Sequence, residues 1–216
     1  MPILTLFGAT YSVYTRIARL TLAEKEVAYA FEEIDVFGPS GPPHSYFGRH
    51  PFGRIPALSH DGFDLFETQA ICRYVDEAFQ GMPLQPQSAR GRARMSQIIG
   101  LLDSYSYRPM VWDIFVERVR KPAQGQTSDE EKIAKAVAAS QRCLDVLAGF
   151  MGGSEWLAGA GEEPSLADLH AAPMIAYLAA AQDGAALLVR HPRIAAWFGR
   201  MKARPSMLAT PSPLVD

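Results

Sequence analysis

One stretch of this sequence decides the fold: His50-Pro51-Phe52-Gly53-Arg54-Ile55-Pro56-Ala57-Leu58. Pro51 and Gly53 exclude a helix, and Pro56 lacks an N–H and holds Ile55 in an extended conformation at the start of a strand. The main-chain groups of Ile55 are therefore available at a sheet edge, where an extended peptide can pair with them. From the dipeptide alone we expect a trans Ile55–Pro56 bond, because cis X–Pro bonds are a small minority.

The composition is that of an ordinary globular chain. Its 216 residues are 48% hydrophobic and 20% charged, which is enough for one large core or two small ones. A formal charge of −2 predicts neither a nucleic-acid partner nor attraction to an anionic membrane. Cys72 and Cys143 lack metal-binding or redox spacing, so we expect reduced, packed thiols, no metal site and a cytoplasmic location. Met1-Pro2-Ile3 carries no signal-peptide pattern, and the apolar run from Ala171 to Ala181 is too short to span a bilayer.

The first 80 residues alternate between strand and helix patterns. Four segments have the length and apolar character of strands: residues 3–7, 29–36, 57–59 and 63–66. A helical pattern runs from Val13 to Lys25, and another follows Glu67-Thr68. The triplet His60-Asp61-Gly62 is a tight hairpin signal between the last two strands. The order β-α-β followed by β-β-α predicts a thioredoxin-like domain over residues 1–80.

The remainder of the chain has helical patterns. A linker rich in Gly and Pro is predicted over residues 81–89, and an all-helical domain over residues 90–216. Its first helix is expected from Arg90 to Arg120, with a bend near Pro109, where an N–H is missing from the helix. Three helix-start signals follow: Ser128 with Glu131, Ser165 with Asp168, and Pro192 at a first helical position. The predicted fold class is therefore α/β plus all-α, a βαβ-ββα domain followed by a helical bundle.

Four signatures recur in this order along nearly the entire chain. They are Tyr11-Ser12-Val13-Tyr14-Thr15-Arg16, the stretch from His50 to Pro56, Phe66-Glu67-Thr68 before Ile71-Cys72-Arg73-Tyr74, and Trp156-Leu157-Ala158-Gly159 ahead of Ser165-Leu166-Ala167-Asp168-Leu169. Together they resemble the cytosolic glutathione transferases, in particular bacterial members similar to the serine-type phi and theta classes. The resemblance implies a homodimer, a cis Ile55–Pro56 bond, and pairing of Ile55 with the cysteinyl backbone of glutathione.

The resemblance also implies a binding site for the rest of glutathione, and the chemistry of the peptide agrees. Glu67 would take the γ-glutamyl ammonium, and Thr68 the neighbouring carboxylate through its hydroxyl and N–H at a helix N-terminus. Arg54 adds a second cation, and His44 is the cation candidate for the glycyl carboxylate. Asp103 resembles an acid that relatives extend across the dimer interface toward the ammonium. The alternative is structural: Thr68 caps a helix, Glu67 complements its dipole, His44 is a solvent-exposed loop residue, and Asp103 lies on a solvated helix face.

Ser12 is the predicted catalytic residue. A thiol of pKa about 8.5 is only slightly ionised at neutral pH, and the thiolate is the nucleophile. One hydroxyl and the positive end of the first helix suffice to lower that pKa by roughly two units, or about 2.7 kcal/mol. Ser12 could instead be a plain helix cap, and spacing alone leaves three competing donors: Tyr11, Tyr14 and Thr15. The resemblance favours Ser12, because the tyrosine classes would carry their tyrosine near Phe7-Gly8.

The predicted activity follows from the resemblance. It is a transferase that conjugates the thiolate of glutathione, its co-substrate, to small hydrophobic electrophiles. Six apolar or aromatic residues are candidates for the electrophile site between the two domains: Tyr11, Phe37, Tyr107, Val111, Trp112 and Phe115. Two alternatives stay open, namely a glutathione-dependent peroxidase, dehalogenase or isomerase, and a glutathione-binding protein without useful turnover.

Overall fold

The structure is a computed structural model that describes residues 4–158 and 163–215. Ile3, Gly159 and Asp216, which belong to segments discussed above, lie outside the described residues. The chain divides into two compact units between Pro83 and Leu84. Pro205–Leu214 belongs to the first unit, whereas the sequence assigned this segment to the helical domain.

The first unit is built on a four-stranded sheet in the order β2-β1-β3-β4. Its strands are β1 Leu4–Gly8, β2 Ala30–Glu33, β3 Ala57–His60 and β4 Phe63–Phe66. β2 runs parallel to β1, whereas β3 is antiparallel to both β1 and β4. Asp61 and Gly62 have φ values of 50° and 84°, as a two-residue hairpin with positive φ at both positions requires. The predicted hairpin is confirmed, but β2 is shorter than predicted and ends at Glu33.

Two helices, α1 Val13–Glu24 and α2 Thr68–Ala78, pack on one face of this sheet. Their contact buries the apolar positions Leu4, Leu6, Ala18, Leu22, Leu58, Ile71 and Val75. On the opposite face a smaller cluster forms around Phe7 and Tyr46, the latter from a 3₁₀ turn over His44–Gly48. The element order confirms the predicted thioredoxin-like fold.

The short helix α9, Pro205–Ala209, returns to the first unit and packs against α1. The Arg16 guanidinium donates to the Met207 carbonyl at 3.4 Å, and Ser206 donates through its hydroxyl to Glu24. These polar contacts, and the buried Met207 side chain, explain why residues 205–214 leave the helical unit.

The second unit is all-helical, as predicted. Its helices are α3 Ala89–Leu101, α4 Lys121–Ala123, α5 Glu130–Met151, α6 Leu166–Ala179, α7 Gln182–Arg190 and α8 Pro192–Lys202. Between α3 and α4 the helix continues with π-type hydrogen bonds over Leu102–Ser106 and Arg108–Arg120, which the sequence did not predict. α6 is the centre of this unit, because every residue from Leu166 to Leu178 is buried.

The predicted capping box at Ser165 and Asp168 is confirmed. The Asp168 carboxylate is completely buried and accepts four hydrogen bonds. Oδ1 accepts from the Leu157 N–H and from the Trp197 indole, each at 2.8 Å. Oδ2 accepts from the Ser165 N–H at 2.8 Å and from its hydroxyl at 2.9 Å. One carboxylate therefore joins the start of α6, the preceding loop and α8.

The predicted box at Ser128 and Glu131 is wrong. Asp129 is the N-cap of α5 and accepts from the Lys132 N–H at 3.0 Å. The Ser128 hydroxyl instead donates to the Glu117 carbonyl at 2.7 Å. The Ser128 hydroxyl therefore makes a tertiary hydrogen bond instead of the helix cap that the sequence motif predicted.

The Glu117 side chain lies beneath this cap and is 1% exposed. It accepts from Lys121 Nζ at 2.7 Å, from Lys132 Nζ at 2.8 Å and from the Asp129 N–H at 3.1 Å. Burial alone raises the pKa of Glu117, but these donors outweigh it and lower the pKa to about 2. Glu117 therefore joins the π-helical segment to the start of α5 as a carboxylate.

Candidate active site

The start of α1 presents Ser12 beside the end of β1. Ser12 is the N-cap, with φ −84° and ψ 127°, and its Oγ accepts from the Thr15 N–H at 3.2 Å. The side chain is half-buried, and no described residue accepts the Ser12 O–H. Ser12 thus caps the helix with its oxygen and keeps a donor for a ligand, so the structural and the catalytic role are compatible.

The competing hydroxyls have other surroundings. Tyr11 donates its phenol O–H to Asp35 Oδ1 at 2.7 Å, and its pKa is raised to about 12 by burial first and by this carboxylate second. The Thr15 hydroxyl oxygen is fully buried without a hydrogen-bond partner in the described chain. Tyr14 is half-buried on α1. Asp35 was not predicted as a site residue, because the sequence placed it inside the predicted strand 29–36, whereas β2 ends at Glu33 and leaves Asp35 in the following loop.

The stretch before β3 has an unpaired main chain. The Ile55–Pro56 bond is cis. Among residues 4–158 and 163–215, no hydrogen-bond partner contacts the N–H or the carbonyl of Ile55. The preceding carbonyl, that of Arg54, accepts from the Tyr46 hydroxyl at 2.7 Å, and Tyr46 is buried. Tyr46 thus holds the loop through the Arg54 carbonyl, while the backbone of Ile55 is available, as the sequence predicted.

The N-terminus of α2 carries the two residues predicted to bind the γ-glutamyl group. Glu67 is the N-cap with φ 71° and ψ 115°, in the left-handed region that disfavours residues with a side chain. Such a conformation costs about 1–3 kcal/mol and is commonly retained at binding sites. The Glu67 carboxylate is exposed and caps nothing, and Thr68 is the first helical residue, 6% exposed. The predicted structural alternative, a side-chain cap by Thr68, is not observed.

His50 is a residue near this site that sequence reasoning used only as part of the loop. Its ring is 3% exposed, lies 4.8 Å from the Phe66 ring, and its Nδ1 has no partner among the described residues. Burial lowers the pKa of His50, Glu67 opposes this shift, and Arg54 reinforces it. Both charged residues are therefore close enough to His50 to shift its pKa. Arg54 and Glu67 thus lie in the same region.

His44 and Asp103, the other two predicted glutathione ligands, each have local contacts of their own. His44 is exposed, and its ring centroid lies 6.2 Å from that of Phe47. Asp103, in the second unit, pairs with the buried His170 of its own chain, with 2.7 Å between Oδ1 and Nε2. This same-chain pair was not predicted.

The six predicted electrophile residues differ in exposure. Phe37 in the first unit and Trp112 in the second are 60% and 37% exposed, and Tyr11 and Tyr107 are half-buried. Val111 and Phe115 are 5% and 0% exposed, and the Phe115 ring packs on Tyr177 at 4.7 Å. Phe115 is therefore a core residue of the helical unit rather than a surface group.

Two of the sequence predictions concern the cysteines and the possible metal ligands. Within the described ranges no group of three His, Cys, Asp or Glu side chains could hold a metal ion, and Cys72 and Cys143 are buried and form no disulfide with each other. No helix in the described part of the chain is both long and apolar enough to cross a membrane.

Comparisons with known proteins agree with this geometry. The family model for the glutathione S-transferase N-terminal domain matches residues 2–77, and that for the C-terminal domain matches residues 106–205. Glutathione S-transferase F7 from Arabidopsis thaliana is 29% identical over 201 residues, which cover 93% of this chain and 95% of the relative.

Two solved structures extend the similarity to the fold. Glutathione transferase F2 from Populus trichocarpa has a TM-score of 0.85 and 25% identity, with 96% of each chain covered. Glutathione S-transferase I from maize, in complex with an atrazine glutathione conjugate, has a TM-score of 0.83 and 25% identity, with 97% of this chain and 96% of that chain covered. This chain belongs to the glutathione S-transferase family.

Proposed function

We propose that this glutathione transferase is of the serine type and that Ser12 donates a hydrogen bond to the glutathione thiolate. The observation that supports the proposal most is that the two hydrogen-bonding functions of the Ser12 hydroxyl are separate. Its oxygen accepts from the Thr15 N–H, and its O–H is left for a ligand. The N-terminus of α1 adds a favourable dipole for an anion. Tyr11 already uses its O–H on Asp35, which supports Ser12 over that competitor.

The peptide would be held by groups that the protein leaves unpaired. The backbone of Ile55, beside Pro56, would pair with the cysteinyl residue as an added strand. The exposed Glu67 carboxylate would take the γ-glutamyl ammonium, while the N–H and hydroxyl of Thr68 take the carboxylate. Arg54 adds positive charge, as does His44 when protonated. We leave Asp103 out of this site, because its pair with His170 supports a role within its own unit.

The thiolate would add to small hydrophobic electrophiles. The maize relative holds the glutathione conjugate of atrazine, which supports an organic electrophile for this chain too. Exposed aromatic side chains, Phe37 in the first unit and Trp112 in the second, are our candidates for contacting it. The remaining elements of the proposal are a homodimer, a phi- or theta-like bacterial class, a cytoplasmic location and catalysis without a metal.

The test is the conjugation rate of Ser12→Ala with a saturating electrophile at about pH 6.5. Removing a hydrogen bond worth about 1.5–3 kcal/mol to a charged acceptor predicts a rate at least tenfold lower. The pKa of bound glutathione should rise, whereas its dissociation constant should change less than threefold. The matched control is Ser88→Ala, which removes an equivalent N-cap, the bond from the Gly91 N–H at 3.0 Å, from α3.

The outcomes separate the readings. An unchanged rate in Ser12→Ala, with a loss in Tyr11→Phe or Tyr14→Phe, would contradict the assignment. An equal loss in Ser88→Ala would show that only helix capping was disturbed. Retention of the wild type on glutathione resin, without conjugation of any of a broad set of electrophiles, would instead support a binding protein.

A further inference from the structure

Two loops meet beside Ser12, and one side chain from β2 and one from the loop after it hold them together. The first loop, residues 9–12, follows β1, and the second, residues 34–38, follows β2. The Ile34 N–H donates to the Gly8 carbonyl at 2.7 Å, so the two loops start side by side. Glu33 Oε1 accepts from the Thr10 N–H at 3.2 Å. The strand that neighbours β1 therefore fixes the loop that carries Ser12.

Asp35 makes the central connection. Its Oδ1 accepts from the Tyr11 hydroxyl at 2.7 Å and from the Phe37 N–H at 2.9 Å. The Gly38 N–H also contributes to lowering the pKa of Asp35, after the larger effects of Tyr11 and Phe37, so the carboxylate is charged at neutral pH. Charge-assisted hydrogen bonds are the stronger ones, and two of them here share one oxygen. Asp35 is exposed, so these contacts are not explained by a buried core.

The contacts fix an aromatic pair. The Tyr11 and Phe37 ring centroids lie 5.7 Å apart with an interplanar angle of 32°, a tilted arrangement within the favourable range. Tyr11 precedes Ser12 directly, and Phe37 is 60% exposed. A single exposed aromatic side chain is common on protein surfaces, whereas neighbouring apolar groups that form one patch are typical of ligand-binding sites. The pair thus offers a flat apolar surface next to the proposed sulfur position.

We propose that Asp35 is a positioning residue that holds Tyr11 and Phe37 as one aromatic wall and thereby gives the enzyme a preference for flat aromatic electrophiles. This inference rests on the proposed function, since it assigns a substrate class to the same site. Asp35 acts through Tyr11 and Phe37 and takes no part in the chemical step. Without its carboxylate the phenol and the loop after β2 would each gain rotational freedom, and ordering them again would weaken binding.

The experiment compares two S-substituted glutathiones, so it does not depend on turnover. The dissociation constants of S-(2,4-dinitrophenyl)glutathione and S-methylglutathione are measured for the wild type, Asp35→Ala, Asp35→Asn and Glu32→Gln. The wild type should prefer the aromatic ligand at least tenfold. Asp35→Ala should reduce that preference at least fivefold, and Asp35→Asn, which keeps an acceptor, should reduce it less. Glu32 is exposed on β2, three residues before Asp35, and no described residue pairs with its side chain, so Glu32→Gln should match the wild type.

A second readout follows Tyr11 itself. The tyrosinate absorbance that is lost in Tyr11→Phe identifies its titration, and in Asp35→Ala the pKa of Tyr11 should fall from about 12 toward 10. A preference that is unchanged in Asp35→Ala, or lost equally in Glu32→Gln, would overturn the inference. So would an equal loss of affinity for both ligands, as general unfolding would cause. Failure of the proposed function would give a different result. The wild type would then show no conjugation, while replacing Asp35 would still change the ligand preference and the pKa of Tyr11.

Discussion

Replacing Asp168 by Asn should destabilise the helical unit by about 3 kcal/mol. Four buried donors meet this carboxylate, two at each oxygen. The Asn carbonyl oxygen can accept from the Leu157 N–H and the Trp197 indole, but the Asn NH₂ then faces the Ser165 N–H. That buried N–H loses its acceptor, which costs about 1–3 kcal/mol of stability. The two remaining bonds go to a neutral acceptor and weaken by about 1 kcal/mol each. Burial of the charge, which raises the pKa of Asp168, offsets part of this loss.

The assay is urea unfolding at one protein concentration near pH 7, followed by tryptophan fluorescence and far-UV circular dichroism. With a slope of about 1–3 kcal/mol per molar urea, a loss of about 3 kcal/mol should lower the midpoint by about 1–3 M. Asp145→Asn is the matched control, because the Asp145 side chain is 62% exposed and its one partner among the described residues is His191, with 3.0 Å between Oδ1 and Nε2. Its loss should stay below about 1 kcal/mol.

A double-mutant cycle with Trp197→Phe isolates the Asp168–Trp197 contact. Because the two side chains share a hydrogen bond of 2.8 Å, their coupling should be about 1 kcal/mol or more. A loss of less than about 1 kcal/mol in the free energy of unfolding of Asp168→Asn, or an equal loss in Asp145→Asn, would contradict this prediction.

Two further predictions concern stability. Because the folded pKa of Glu117 is lowered to about 2 from 4.5, its stabilisation is complete above about pH 4.5 and is lost as the pH falls toward 2. The free energy of unfolding should therefore fall less steeply over that window in Glu117→Gln than in the wild type, and a parallel fall would contradict this. Gly184→Ala should destabilise by about 3 kcal/mol or more, because the added Cβ would lie 1.9 Å from the Leu178 carbonyl oxygen. Gly149→Ala, in open space within α5, should be neutral or stabilising in the same thermal melts.

The sequence predicted those features whose cause is local. Asp61-Gly62 forms its hairpin because the residues themselves accept positive φ, and Ser165 with Asp168 forms its box because both partners lie within one turn. Tertiary contacts decided the rest. The Ser128 hydroxyl does not cap α5 but donates to a carbonyl eleven residues away. The hydrogen bond from Tyr11 to Asp35 forms because β1 and β2 are neighbours in the sheet. Neither contact has a periodicity or a motif from which it could be predicted.

The same distinction applies to the candidate site. Ser12, Ile55 and Glu67 were predicted from short motifs whose backbone chemistry is readable in the sequence. His50 was missed as a site neighbour, because its burial and its proximity to both Arg54 and Glu67 depend on how the loop folds over Phe66. The π-type hydrogen bonding of Arg108–Arg120 likewise had no sequence signal beyond Pro109.

The glycine that ends β1 constrains which catalytic residues this chain can acquire. A Cβ on Gly8 would lie 2.4 Å from Thr15 Oγ1 and 2.6 Å from Thr15 Cγ2, and that branched side chain is fully buried. The first turn of α1 therefore occupies the space that any side chain at position 8 would need. A tyrosine at this point could be introduced only if the start of the helix moved, and Ser12 would move with it. A tyrosine at position 8 would thus require more than one substitution, because the connection between β1 and α1 would have to be rebuilt with it.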